Sequence, residues 1–332
     1  MSRARAYRYA MKHYSAKIDS IYLLLTAFSL CLLIAGIRGC AISREQQQAP
    51  APSPHIAVFS EGEVLVMPLN QYLVGVVGGE MPASFPIEAL KAQAVAARTY
   101  AVRRMACYGG EGCGRGGADI CTDSSCCQAY TDPAELKDNF GENARRYMDK
   151  LTEAVYSTDG EVILYNGSPI EALYHSSAGG RTEDAQNVFS SALPYLVGVE
   201  SPGEEGSKYH GENQYSLKEF AAAVNKKWPK AKLDRKKLPS QVEILSRYDS
   251  GQVEKLRLNK ITVSGKDLRK LFDLNSANFT IDISDIVIIR TTGYGHGVGM
   301  SQYGARAMAL EGADYKEILT HYYTGVEVEG ME

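Results

Sequence analysis

Apolar residues recur at helical spacing between positions 87 and 101, where Ile87, Leu90, Ala94, Ala97 and Ala101 fall on one face. Ala89, Ala92 and Ala96 keep the other faces small, so the helix this pattern predicts can pack closely on several sides. Pro86 suits its first turn. Immediately upstream, Tyr72-Leu-Val-Gly-Val-Val is an unbroken apolar run that reads as a strand, stopped by Gly78, Gly79 and Pro82. A strand ended so abruptly would deliver its last carboxylate, Glu80, to the rim of a sheet, where a ligand can reach it. Lys91 and Arg98 stand seven residues apart and share a helical face. A cation in such tight surroundings takes an anionic or sugar-hydroxyl partner, or else forms an ordinary buried salt bridge.

The remaining pattern predicts an α+β fold: a large mixed domain over 58–326 carrying an inserted, smaller α+β lobe at about 208–290. Residues 144–158 have helical periodicity, and two β runs flank Asn166-Gly167, a hairpin signal. A polar, glycine-bearing loop at 174–183 and an apolar run at 194–199 precede the lobe. The lobe reads as a Lys-rich helix ending near Trp228, β runs at 242–248 and 253–258, a helix at 266–272 and strands around 279–290. Then glycine occupies every second position from Gly293 to Gly299. In an extended chain that alternation bares one backbone face, which another chain or a flat sugar could approach. His296 lies on the opposite face and, taken alone, reads as a hydrogen-bonded structural residue. The segment lacks the dinucleotide and phosphate-loop spacings, and Ser301 misses the nucleophile-elbow pattern.

The N-terminus bears on compartment. Arg3, Arg5, Arg8, Lys12 and Lys17 form a basic cytoplasmic tail (1–19), followed by seventeen uncharged residues from Ile21 to Ile37. That reads as a single membrane anchor over 20–38, with all that follows translocated out of the cytoplasm. Cys40 raises lipidation as an alternative, which Arg38 argues against. Residues 39–57 form a polar, proline-rich spacer. The net charge is −3, so nucleic acid is not an expected partner.

Five of the seven cysteines fall within residues 107–127: Cys107, Cys113, Cys121, Cys126 and Cys127. Outside the cytoplasm disulfides are the default, yet five is odd and adjacent Cys126 and Cys127 bond each other only with strain. Crowded thiolates equally suit tetrahedral zinc, although no CxxC pair is present. Either way the loop reads as stapled rather than catalytic.

Taken together, Glu-Met-Pro-Ala-Ser at 80–84, Ala-Leu-Lys-Ala-Gln-Ala-Val-Ala-Ala-Arg-Thr-Tyr at 89–100 and Gly-His-Gly-Val-Gly-Met-Ser-Gln at 295–302 resemble the stage II sporulation protein D family. The resemblance implies a membrane-anchored lytic transglycosylase that cuts peptidoglycan between MurNAc and GlcNAc during engulfment. Its substrate would be glycan already stripped of stem peptides by a partner amidase, stage II sporulation protein P, with a membrane protein, M, recruiting both. The resemblance makes Glu80 the acid/base and places Lys91, Gln93, Arg98 and Tyr100 near it, to orient it and bind sugar. His175, Ser177, Gly179, Tyr195, His296 and Gln302 would complete a glycan groove, with Tyr195 or Tyr294 stacking on sugar. It also tilts the cysteine loop toward structural zinc at Cys113, Cys121 and Cys127 with Cys126, the last standing where zinc-binding members carry histidine. No cofactor is implied for the chemistry. The same domain occurs in amidase enhancers, which implies a non-catalytic alternative: glycan binding that stimulates a separate hydrolase.

Overall fold

The computed structural model describes residues 54–189, 191–206 and 209–331. The tail, the anchor and most of the spacer predicted above lie outside the described residues. Among the described residues no helix is long and apolar enough to cross a membrane.

The chain enters through a hairpin, β1 (His55–Ser60) and β2 (Glu63–Pro68), and runs directly into α1 (Leu69–Glu80) and α2 (Ile87–Val102). After the cysteine loop, β3 (Ile120–Cys121) pairs parallel to β1. Then follow α3 (Pro133–Phe140), α4 (Ala144–Tyr156), β4 (Glu161–Tyr165), β5 (Ser168–Pro169), β6 (Tyr174–His175), β7 (Gly180–Arg181), α5 (Ala185–Phe189) and β8 (Glu200–Ser201). The chain later returns as β15 (Met300–Ser301), α9 (Gln302–Leu310), α10 (Tyr315–Tyr322) and β16 (Glu327–Gly330). The C-terminal segment is woven into the first half, because β15 pairs parallel to β6 and β16 antiparallel to β4.

Helix α2 is the axis of this body. Thirteen of its residues are buried, and α1, α4, α9, α10 and β4 pack around it, which is what its alanine-rich faces permit. A second hydrophobic core, built on Phe220, Val224, Leu256, Leu268, Phe272, Phe279 and Ile289, belongs to the intervening lobe. That lobe comprises β9 (His210–Ser216), α6 (Leu217–Lys227), α7 (Leu238–Gln241), β10 (Val242–Arg247), β11 (Val253–Leu258), β12 (Ile261–Ser264), α8 (Gly265–Phe272), β13 (Phe279–Ile283) and β14 (Ile286–Thr292). Ser216 and Glu219 close a reciprocal capping box on α6.

Two local expectations are corrected. The run before Glu80 is not a strand but the buried helix α1. A short apolar run has no periodicity to separate the two, and here glycine decides. A Cβ at Gly75 would stand 2.4 Å from the Tyr130 ring and one at Gly78 2.4 Å from Leu136, so the bare positions let neighbours lie against the helix. The Gly293–Gly299 segment is not extended either, since all four glycines have φ between 73° and 119°. A Cβ at Gly299 would meet the Leu173 carbonyl at 2.1 Å and one at Gly297 would meet Gln252 at 2.2 Å. The bare backbone therefore accommodates the protein's own chain, not a sugar.

Candidate active site

Glu80 is the last residue of α1, and Met81 turns extended at the helix C-cap with Pro82 behind it. Gly75 and Gly79, one helical turn apart, form a shallow groove in which Tyr130 and Thr131 lie, with the Thr131 amide donating to the Gly75 carbonyl at 3.2 Å. That seating brings the Ala129 amide onto Glu80 Oε1 at 2.7 Å. From the far end of the chain, Gln302 at the start of α9 donates Nε2 to Glu80 Oε2 at 3.2 Å. The same Nε2 reaches Gln93 Oε1 at 3.5 Å. Burial pushes the Glu80 carboxyl above its ordinary value, against the opposing pull of the Ala129 and Gln302 donors. Tyr72 and Tyr174 face this carboxylate electrostatically, and burial holds both phenols far above their ordinary value. Tyr174 donates to Gln128 Oε1 at 3.0 Å.

Of the residues expected around Glu80, the structure brings Gln93 to the site, and it does so through Gln302, which was expected in the glycan groove. Lys91 instead pairs with Glu88 at 2.9 Å and lies over the Tyr315 ring. Arg98 is a second correction: its guanidinium points at α4 and the turn after it, donating to the carbonyls of Thr158 (2.7 Å), Val155 (2.9 Å) and Glu161 (3.2 Å). The Tyr100 hydroxyl lies 3.4 Å from the Cys126 carbonyl, and Arg104 covers its ring, so it braces the cysteine loop.

The remaining groove residues serve two other constructions. Ser177 Oγ and the amides of Ala178, Gly179 and Gly180 all donate to the buried Glu204, which Ser201 Oγ also reaches. His175 and His296 sit with their rings 5.4 Å apart. His175 Nδ1 faces the Val298 carbonyl and must carry the ring proton, whereas His296 Nδ1 accepts from the Val298 amide. Burial pushes His175 down to about 4 and His296 to about 3, so both are neutral near pH 7. Tyr195 is buried, with its hydroxyl accepting from the Glu171 amide, and cannot present a face to sugar; Tyr294 is the exposed aromatic of the pair.

The cysteine loop holds free thiols throughout its five residues. The sulfurs of Cys113, Cys121 and Cys127 lie within 4.8 Å of one another, and Cys126 Sγ is 3.8 Å from that of Cys127. Four sulfurs around one zinc at the usual bond length stand about 3.8 Å apart, so the cluster fits such an ion, with Cys126 at its exposed edge.

The family profile "SpoIID: Stage II sporulation protein" matches residues 60–165. Stage II sporulation protein D of Bacillus subtilis (strain 168) is 39% identical over 264 residues, covering 79% of this chain and 74% of that one. The corresponding protein of Bacillus amyloliquefaciens is 34% identical over 93% of this chain and 92% of its own length. The chain belongs to the stage II sporulation protein D family. A protein named amidase enhancer from Bacillus subtilis (strain 168) is 29% identical over 76% of this chain, which spans 39% of that longer relative. Within this family member the profile covers Glu80, Gln93 and the cysteine loop, while Gln302 comes from outside it. Ala129, Gln128 and Tyr174 are not among the expected site residues; Gln128 and Ala129 directly follow Cys127, and Tyr174 precedes His175, which is the signal that could have pointed to them.

Proposed function

We propose that the chain is a sporulation-associated lytic transglycosylase that cleaves MurNAc–GlcNAc bonds of stem-peptide-free peptidoglycan strands. The observation that supports this most is the environment of Glu80: a carboxyl raised by burial, at a helix end, with a donor on each oxygen. Such a group holds its proton more tightly than a free carboxyl, can give it to the glycosidic oxygen, and has donors in place to stabilise the carboxylate that remains. Glycoside hydrolysis ordinarily needs a second carboxylate. Among the described residues the fully buried carboxylates are committed elsewhere, Glu183 to Asp184, Asn187 and Ser250 and Glu204 to the 177–180 loop. The sugar's own C6 hydroxyl then serves as nucleophile: Glu80 takes its proton while its oxygen closes a 1,6-anhydro ring. Incubating the protein with stem-peptide-free strands and reading the products by mass spectrometry tests this. Anhydro-ended fragments are expected; reducing-end products would mean hydrolysis instead. Tight glycan binding without cleavage would favour the enhancer reading, for which the similarity to the amidase enhancer is the supporting observation.

The same reading includes an amidase partner that strips stem peptides first, a membrane recruiter and tethering through residues 20–38. It also includes structural zinc held by Cys113, Cys121 and Cys127 with Cys126. The ion would neutralise the crowded thiolates and fix the loop whose Ala129 amide meets Glu80; no step of the chemistry passes through it. Elemental analysis is expected to find one zinc per chain. Its removal with a chelator should lower the melting temperature and expose the thiols to alkylation. Metal-free protein with two disulfides would end the zinc proposal.

A further inference from the structure

The two donors on Glu80 differ in one respect. The Ala129 amide on Oε1 can only donate, whereas the side chain of Gln302 has an oxygen at one end and an NH2 at the other. Exchanging those ends costs little beyond the hydrogen bonds that change. In the present arrangement Gln302 Nε2 points at two acceptors, Glu80 Oε2 and Gln93 Oε1, which suits an ionised Glu80. It also leaves Gln93 Nε2 without a hydrogen-bond partner among the described residues, although Gln93 is fully buried. A proton on Oε2 reverses each requirement. The acid must donate, Gln302 must turn Oε1 to receive it, and Gln93 must turn Nε2 toward that same oxygen. The reversed chain supplies the partner that Gln93 Nε2 lacks and gives up only the long 3.5 Å contact of Gln93 Oε1.

We propose that Gln93 and Gln302 form an amide relay that reverses direction when Glu80 takes up its proton, so that Gln93, without touching Glu80, holds the acid form in place. The inference rests on the reading of Glu80 as the acid. When the O–H bond of Glu80 breaks, the proton goes to the glycosidic oxygen and the electron pair stays on Oε2. Gln302 then turns Nε2 back onto that charge. The C6 hydroxyl proton later returns to Oε2 and resets the chain. Gln93 and Gln302 are thus positioning residues. The titratable groups facing Glu80 are Tyr72 on its own helix and Tyr174 on β6, both held uncharged by burial. The 129–131 loop presents a backbone amide and α9 the Gln302 amide.

The test titrates full-length protein carrying 13Cδ-labelled glutamate, with the Glu80 signal assigned by its loss in Glu80→Gln. In Gln93→Met the reversed chain loses its brace, whereas the ionised arrangement loses only the long 3.5 Å contact to Gln93 Oε1, so the Glu80 midpoint should fall, by at most about one pH unit. The alkaline limb of kcat/KM for glycan cleavage should fall with it. If the amides are fixed, Gln93 only supports a donor to the carboxylate, and its removal leaves the midpoint unchanged or raises it; that result overturns the relay. Should Gln93→Met fail to fold, the wild-type side-chain 15N amide signals decide. The signal of Gln93 must shift at the Glu80 midpoint, and a Gln93 signal that ignores it overturns the proposal equally. A falling midpoint in a protein that cleaves no glycan would support the relay and sink the transglycosylase reading. Cleavage with an unmoved midpoint would do the reverse.

Discussion

Glu80→Gln is expected to lose glycan cleavage by about a hundredfold to ten-thousandfold, the range that a positioned general acid supplies. The amide keeps the size and the contacts to Ala129 but has no proton to give. The same substitution should raise thermal stability at neutral pH, and the sign follows from the direction in which burial moves this carboxyl. The folded chain holds the Glu80 proton more tightly than the unfolded one, whose carboxyl titrates near about 4.3. The stabilisation from that proton is complete below the unfolded value and disappears as pH rises through the folded one. A side-chain amide at this position has no such loss, so the variant should melt above wild type at neutral pH and level with it near pH 4. Melting curves across that range, beside a product assay, check both halves. A variant that is inactive and also less stable at neutral pH would place Glu80 among structural carboxylates.

Arg98→Met carries the largest expected effect on folding. The guanidinium is 1% exposed and caps the end of α4 by binding three carbonyls around residues 155–161. Burial lowers it to about 10, which leaves it charged at neutral pH, with Asp159 and Glu161 opposing that shift. Removing it strands those carbonyls out of reach of water, a cost of about 3–5 kcal/mol, or roughly 10 °C in Tm for a domain of this size. Arg98→Lys should recover part of this, because an ammonium group cannot span the same three acceptors. Thermal unfolding and glycan cleavage measured at a permissive temperature separate the two roles sequence allowed for this residue. Lost cleavage in a folded variant with unchanged Tm would return Arg98 to the sugar-binding set.

The two helices that frame the site were unequally visible in the sequence. Helix α2 announced itself through Pro86 and the spacing of Ile87, Leu90 and Ala94, and it is observed from Ile87 to Val102. Helix α1 did not, because an apolar, valine-rich run buried on every side has no polar face to set a period. The lobe's strands and helices followed their polar and apolar alternation closely, from β10 and β11 to α8. The site itself was legible one residue at a time and not as an arrangement. Glu80, Gln93 and Gln302 could be named from motif resemblance. Their joining depends on tertiary contacts more than two hundred residues apart in sequence, of which a linear pattern holds no trace. Lys91 and Arg98, which share a helical face, diverge to Glu88 and to α4, since spacing fixes a face but not a neighbour.

The groove formed by Gly75 and Gly79 has a consequence for portability. Glu80 and the amide that meets it are 49 residues apart in sequence, and they meet only because the 130–131 segment lies in that groove. The smallest fragment that carries this acid with its Ala129 donor therefore runs from α1 through Thr131, and the Gln302 end of α9 must be added to it for the second donor. It brings α2 and the whole cysteine loop with it, so grafting the helix alone would transplant a glutamate without its chemistry.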